Sequence, residues 1–125
     1  MNTKTSSSPD LSERPIELVT RIIRVNKEMG MSYPQQHVAK QILRSGTAPM
    51  AHHAAAQSAE SKSDFVYKLK IALKEMRKTR RWLELVRRTP LILSPEKLIP
   101  LIDEADQLER ILNASIPTVE SRSTK

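Results

Sequence analysis

The side chains that could bind a metal ion are few and poorly arranged for that role. His52 and His53 are neighbours, so on a helix they point about 100° apart and cannot hold one ion together. His53, Gln57 and Glu60 share a helical face, but a di-metal helical bundle needs paired Glu-x-x-His motifs on facing helices, which this sequence lacks. The histidines are therefore interpreted as structural or surface residues.

Two hydroxyl residues, Ser45 and Thr47, could act as nucleophiles only beside a general base, and the sequence places none there. Such hydroxyls more commonly cap or brace a helix. No glycine-rich phosphate loop or nucleotide-binding fingerprint is present. We therefore predict a protein that is not an enzyme, with no catalytic residues, no metal and no cofactor.

The clearest chemical pattern is a stripe of cations in residues 62–88, which contain ten Lys and Arg against three acids. On a helix, five of the cations cluster within about 60°, namely Lys70, Lys74, Arg77, Arg81 and Arg88. This stripe would suit a phosphate backbone, with salt-sensitive affinity from counterion release. Without a groove-reading motif, binding to RNA or DNA would have low sequence specificity. With four aromatic residues in the chain, the sequence does not predict a base-stacking platform.

The stripe also fits two roles that involve no nucleic acid. It could be a solvated face that keeps the protein soluble, or it could pair with the acids of the fourth helix. The sequence alone does not decide among the three roles.

A second apolar strip flanks the core seam of the same helix, and it consists of Tyr67, Ile71, Trp82 and Leu85. A helix in a monomeric bundle needs only one buried arc, so extra apolar area favours an interface between copies of the chain. The alternative is that Trp82 and Ile71 widen the core within one protomer.

Four amphipathic helices must position these residues. The pattern predicts them over about 12–29, from Ser32 through the alanine-rich residues 50–59, over 64–88 and over 94–114. Ser32 with Gln35, and Ser61 with Asp64, fit capping boxes at helix starts. Pro49 lacks an N–H and crowds the carbonyl four residues back, so we expect a kink or a restart there, with Thr47 able to cap the restarted part.

Each of the last two helices carries a buried seam. The third repeats apolar positions with alternating spacings of four and three, at Phe65, Leu69, Ala72, Met76, Thr79, Leu83 and Val86. The fourth has a similar stripe at Leu98, Leu101, Ala105, Leu108 and Leu112. With short connections, these helices predict an all-α, antiparallel up-and-down four-helix bundle whose second helix is kinked near Pro49.

The composition is consistent with one such domain of 125 residues, with two glycines, no cysteine and a net charge of +7. We predict a disordered tail at 1–11, the bundle at 12–116 and a second disordered tail at 117–125. The absence of cysteine, of an apolar leader and of a membrane-length apolar run favours a cytoplasmic protein that does not bind a membrane.

The order of features resembles a bacterial family of four-helix bundle proteins, also named after open reading frames in 23S rRNA intervening sequences. The resemblance covers about residues 14–116, and four stretches carry it, which are residues 41–49, 59–76, 93–98 and 104–112. Its most specific part is Ser45-Gly-Thr-Ala-Pro49, followed by the helix start Ser61-Lys-Ser-Asp-Phe65.

The resemblance implies an up-and-down bundle that assembles as a homo-oligomer, commonly a pentamer. A related branch, the accessory variability determinant of diversity-generating retroelements, binds nucleic acid and a reverse transcriptase, which makes both expected partners. The chain departs from the family pattern after the proline, where His52 and Ala55 replace an Asn and a Glu. A role of that pair is therefore not carried over.

Together, the residues and the resemblance lead to one leading hypothesis. The chain is expected to be a non-enzymatic, homo-oligomeric scaffold that binds RNA or DNA through the outer face of its third helix. The alternative is an adaptor between proteins with no role in nucleic-acid binding.

Overall fold

Four α-helices form the structure, a computed structural model that describes residues 12–123, with side chains through 118. Helix α1 spans Arg14–Glu28, α2 spans Tyr33–Ala56, α3 spans Lys62–Arg88 and α4 spans Leu98–Ser123. Helix α2 packs mainly on α1 and α3, and α4 packs mainly on α3. The predicted all-α, antiparallel four-helix bundle is confirmed. The predicted tail at 1–11 lies outside the described residues.

Side-chain caps set two of the helix starts, as the sequence predicts. The backbone N–H of Gln35 donates to Ser32 Oγ at 3.3 Å, and the N–H of Ser32 donates to Gln35 Oε1 at 3.2 Å. This reciprocal pair is the predicted capping box of α2. At α3, Ser61 Oγ accepts from the N–H of Asp64 at 3.1 Å, and the helix then runs unbroken to Arg88.

Helix α2 continues through Pro49, so the predicted restart does not occur. Thr47 is not a cap, because its hydroxyl donates to the backbone carbonyl of Leu43 at 2.9 Å. Pro49 itself is fully buried. Gly46 brings α1 close, since a Cβ atom at this position would lie 2.5 Å from Ile22 Cδ1. Packing on both sides of the proline therefore holds the helix together where local preference would break it.

The core has two parts along the bundle axis. The larger lies among all four helices and includes Leu18, Ile22, Ile42 and Leu83. The smaller lies at the other end, and its buried members belong to α2, α3 and α4, namely Ala56, Val66, Leu69, Ala72, Leu73, Leu112 and Ile116. Helix α1 has 15 residues against 24 to 27 in the others, so the smaller part is packed without it.

The seams predicted for the last two helices are confirmed. Their predicted positions are buried apart from Phe65, which is half-buried. Helix α4 is preceded by a 3-10 turn at Pro95–Lys97, and Pro100 falls in the first turn of α4, where a proline is tolerated. The helix continues to Ser123, past residue 117, where the sequence predicts a tail to begin.

Gln35 ties two connections together at one end of the bundle. While its Oε1 belongs to the capping box, its Nε2 donates to the backbone carbonyl of Leu91, in the connection between α3 and α4, at 2.9 Å. Gly30 leaves room for this side chain, since a Cβ atom there would lie 2.5 Å from Gln35 Oε1.

Candidate nucleic-acid interface

The outer face of α3 lies opposite its buried seam and carries the predicted cations. Lys70, Lys74, Arg77, Arg81 and Arg88 are all exposed, and we call these five residues the basic face. Because α3 is one uninterrupted helix, it holds the five side chains in a straight row.

Carboxylates neutralise part of the basic face. Arg77 Nε lies 3.9 Å from Glu109 Oε1, and Arg88 Nε lies 3.5 Å from Glu84 Oε2. Lys70 also has an interaction partner. In contrast, the side chains of Lys74 and Arg81 form no ion pair or hydrogen bond within residues 12–118.

Cations on the side of α3 toward α4 have a structural role instead. Arg80 binds the nearly buried Glu109, which is 8% exposed, through Nε and through Nη2 at 3.3 Å. These bonds to Glu109 raise the pKa of the Arg80 guanidinium. Arg87 pairs with Glu84 on its own helix, and this hydrogen bond lowers the pKa of the Glu84 carboxyl. Pairing with α4 therefore accounts for Arg80 and reaches Arg77 on the basic face, but it does not involve Lys74 or Arg81.

Two other acids of α4 pair with residues outside α3. Glu104 accepts two hydrogen bonds from Arg14 of α1, at 2.9 and 3.0 Å, and Asp106 pairs with Arg110 on α4. The bonds to Glu104 raise the pKa of Arg14.

The predicted oligomer strip is divided between two environments. Tyr67 and Leu85 are 63% and 40% exposed and lie beside the basic face. Ile71 and Trp82 are half-buried, and Trp82 packs against the larger core cluster. Trp82 therefore contributes to the core of the protomer, as the alternative interpretation predicts, whereas Tyr67 and Leu85 present apolar surface to the outside. The assignment of the strip to contacts between copies stays a prediction.

Sequence reasoning missed a second set of exposed side chains on α2. Tyr33, His37, Lys40 and Arg44 follow one another at spacings of four, three and four, and all are exposed. We call these four residues the α2 row. The spacing is visible in the sequence, but the contact between His37 of this row and Trp82 of α3 is not.

The candidate nucleophiles and histidines lie elsewhere. Ser45 is buried, and its hydroxyl is hydrogen-bonded to the buried Thr79 Oγ1 at 3.0 Å between α2 and α3. His53 lines an open groove of about 630 Å³ between α1 and α2, and burial lowers its pKa. Within residues 12–118, no group of three His, Cys, Asp or Glu side chains is placed to hold a metal ion. None of the helices described has the length and apolar character of a membrane span.

Comparison with known proteins supplies a family and a structural neighbour. A family model described as 23S rRNA-intervening sequence protein matches residues 10–114. The chain is also similar to a crystal structure from Bacteroides thetaiotaomicron, described as a protein of unknown function from the S23 ribosomal protein family. The two share 34% identity with a TM-score of 0.78, over 86% of this chain and 98% of the other. No curated protein matches.

Proposed function

The chain belongs to the 23S rRNA-intervening sequence protein family, and from this premise we propose that it is a non-enzymatic, homo-oligomeric scaffold that binds RNA or DNA through the basic face. The observation that carries the proposal is the outward row of cations on α3, in which Lys74 and Arg81 have no carboxylate partner within the described side chains. Cations of this kind are the ones that can exchange their counterions for phosphates.

Low sequence specificity follows from the same geometry. Helix α3 packs between α2 and α4 as an element of the core, so it is not a projecting helix that could enter the major groove. Contacts to phosphate oxygens fix position but do not distinguish bases.

Assembly into a homo-oligomer would strengthen this binding. Each copy would add one basic face, and linked weak contacts give an avidity that a single face lacks. The exposed Tyr67 and Leu85 are the apolar surface we assign to contacts between copies. The family resemblance favours a pentamer, and it also keeps a reverse transcriptase as a candidate protein partner.

A charge-reversal pair tests the proposal. We expect the wild type to bind generic RNA and duplex DNA at about 50 mM salt and to lose most of its affinity at about 200 mM. The variant Lys74→Glu/Arg81→Glu should bind far more weakly, and the slope of log K against log salt should be about 2 units shallower for each protomer in contact. Fluorescence anisotropy with labelled nucleic acids measures both quantities.

A matched control is available on α1. Arg24→Glu/Lys27→Glu changes the net charge by the same amount at two exposed positions, and it should retain most of the wild-type affinity. Arg77 is left unchanged because a glutamate there would face Glu109. If the control loses as much affinity as the α3 variant, the binding depends on total charge and the assignment to the basic face is wrong. If the wild type binds neither nucleic acid, the alternative of an adaptor for an acidic protein is favoured.

A further inference from the structure

The α2 row begins with two aromatic rings at the outer surface of the bundle. The rings of Tyr33 and His37 are stacked, with centroids 6.2 Å apart and planes inclined by 25°. This is an offset arrangement within the usual range for paired rings. Tyr33 is 82% exposed, so apart from the His37 contact most of its ring meets solvent.

The two rings are held in place rather than displayed on a loop. Tyr33 is the first residue of α2, directly after the capping box of Ser32 and Gln35. Below them, His37 meets the ring of Trp82 edge-on, with centroids 6.2 Å apart and planes at 74°. Trp82 in turn packs against the core, so the rings are supported from below by packed side chains.

Two cationic side chains follow the rings on the same face of α2. Lys40 and Arg44 continue the α2 row one and two turns further along the same face. Two contacts show which part of α3 lies alongside, since His37 meets Trp82 and Ser45 is hydrogen-bonded to Thr79. The segment of α3 from Thr79 to Trp82, which includes the exposed Arg81, therefore packs along the part of α2 that carries the row. The structure thus joins an aromatic surface and a basic one that are distant in sequence.

We propose that this protein binds single-stranded nucleic acid in preference to a duplex, with a base stacked on the exposed ring of Tyr33 and phosphates following Lys40, Arg44 and Arg81. This inference rests on the proposed function and names its substrate class. An aromatic platform beside a positive track is the arrangement by which proteins bind single strands without sequence preference. In a duplex the bases are stacked inside the helix, so Tyr33 has no base to receive.

The test compares strands that carry the same phosphates with and without bases. Fluorescence anisotropy is measured with labelled strands of about 20 nucleotides, as RNA and as DNA, with the matching DNA duplex, and with an abasic DNA strand of equal length. We expect the wild type to bind the normal strands about tenfold more tightly than the abasic one. The relative affinity of the RNA and DNA strands then shows which of the two is preferred.

Two variants of Tyr33 separate the contribution of its aromatic ring to affinity from the contribution of the cations. Tyr33→Ala should lose about tenfold in affinity for normal strands and bind the abasic strand and the duplex as the wild type does. Its salt dependence should be unchanged because no cation is removed. Tyr33→Phe keeps the ring and should bind as the wild type does, and circular dichroism checks that each variant keeps its helices.

Three results would overturn the inference while leaving the proposed function standing. They are equal binding of normal and abasic strands, tighter binding of the duplex, or no effect of Tyr33→Ala, each with the affinity still dependent on salt and on Lys74 and Arg81. Absence of binding to every strand and to the duplex would remove the proposed function together with the inference.

Discussion

At the scale of single residues, the hydroxyl pair between α2 and α3 shows how polar atoms hold a helical core in register. Thr79 is fully buried, and its Oγ1 lies 3.0 Å from Ser45 Oγ and 2.9 Å from the carbonyl oxygen of Glu75. The Thr79 hydroxyl is placed to donate to both oxygens, Ser45 Oγ on α2 and the Glu75 carbonyl on α3, which share its single hydrogen.

Removal of one hydroxyl of this pair should lower the free energy of unfolding more than removal of both hydroxyls does. We expect Thr79→Val to lower the free energy of unfolding by about 1–3 kcal/mol, because the buried Ser45 hydroxyl loses its partner. The double variant Ser45→Ala/Thr79→Val should recover part of that loss. Urea denaturation of the two single variants and the double variant measures the coupling. Simple additivity of the two single effects would show that the hydroxyls do not interact.

His53 should make stability depend on pH. Burial lowers its pKa below the ordinary 6.5, so between these two values the unfolded chain binds a proton that the folded protein does not. The free energy of unfolding should therefore decrease as the pH falls through about 6.5 toward the lower folded-state pKa. The other residues lining this groove, which are Ser12, Pro15, Ile16, Met50, Ala54 and Gln57, have no ionisable side chain.

Urea denaturation at several pH values between 7.5 and 5.5 tests this prediction, because carboxyl groups titrate mainly below that range. The variant His53→Gln should show a flatter dependence than the wild type. A variant that loses as much stability on acidification as the wild type would assign the effect to other groups.

Features that depend on contacts within one helix could be predicted from the sequence. Features that depend on which neighbouring helix covers a side chain could not. The helix starts at Ser32 and Ser61 depend on contacts within four residues, so local patterns predict them. The basic face follows from the period of one helix. The period of α3 does not decide whether Trp82 faces the core or a second copy, because it does not reveal that α2 passes over that side.

At the scale of the helices, α3 and α4 are joined by a carboxylate enclosed at their interface. Glu109 is 8% exposed and binds Arg80, while Arg77 lies 3.9 Å away. One acid on α4 thus compensates cations on α3 and faces the core rather than the solvent. In the sequence it looks like one of several acids of the fourth helix, and only packing distinguishes it from Asp106.

Removal of the Glu109 carboxylate should lower the stability of the protein more than removal of an acid at the surface does. We expect Glu109→Ala to cost about 2 kcal/mol of stability, since it leaves the Arg80 guanidinium partly buried without its partner. The cost is below that of a fully buried pair because the Arg80 side chain is 32% exposed. Asp106→Ala is the matched control, as its partner Arg110 is 79% exposed, and it should change stability by less than about 0.5 kcal/mol. Equal losses in the two variants would contradict the structural role of Glu109.

Helix α2 shows where local preference gives way to packing. A proline inside a helix removes one backbone hydrogen bond and crowds a carbonyl, which is why the sequence predicts a kink or a restart. In the bundle, Pro49 is buried and Gly46 receives Ile22 from α1. The Ile22 contact comes from a distant part of the chain, so no local pattern could show that the helix continues instead of restarting. A kink at Pro49 is compatible with this continuous helix.

At the scale of the whole molecule, the choice of variant for testing assembly depends on which residues of the apolar strip on α3 are exposed. Trp82→Ala would create a cavity in the core as well as alter the surface, because the side chain packs inside the protomer. Leu85 is 40% exposed, so its replacement by a charged residue should weaken the proposed assembly without disturbing the core.

We expect the wild type to have a mass in light scattering that is a multiple of the 14.2 kDa chain. Leu85→Glu should shift the mass toward the single chain while the helical circular dichroism is unchanged, because a charge at an apolar interface is costly to bury. Leu93→Glu is the matched control, since Leu93 is fully exposed in the connection between α3 and α4, outside the strip. A wild type that is already a single chain would refute the assembly.

The side chain of Gln35 connects the start of α2 to the connection between α3 and α4, where its partner Leu91 lies 56 residues further along the chain. One end of its amide holds the first turn of α2, and the other end holds the backbone at Leu91. Opening of either loop therefore releases the other, so their amide protons should exchange with deuterium at correlated rates, and Gln35→Ala should accelerate both. A single amide thereby joins the two connections at the bundle end that displays Tyr33.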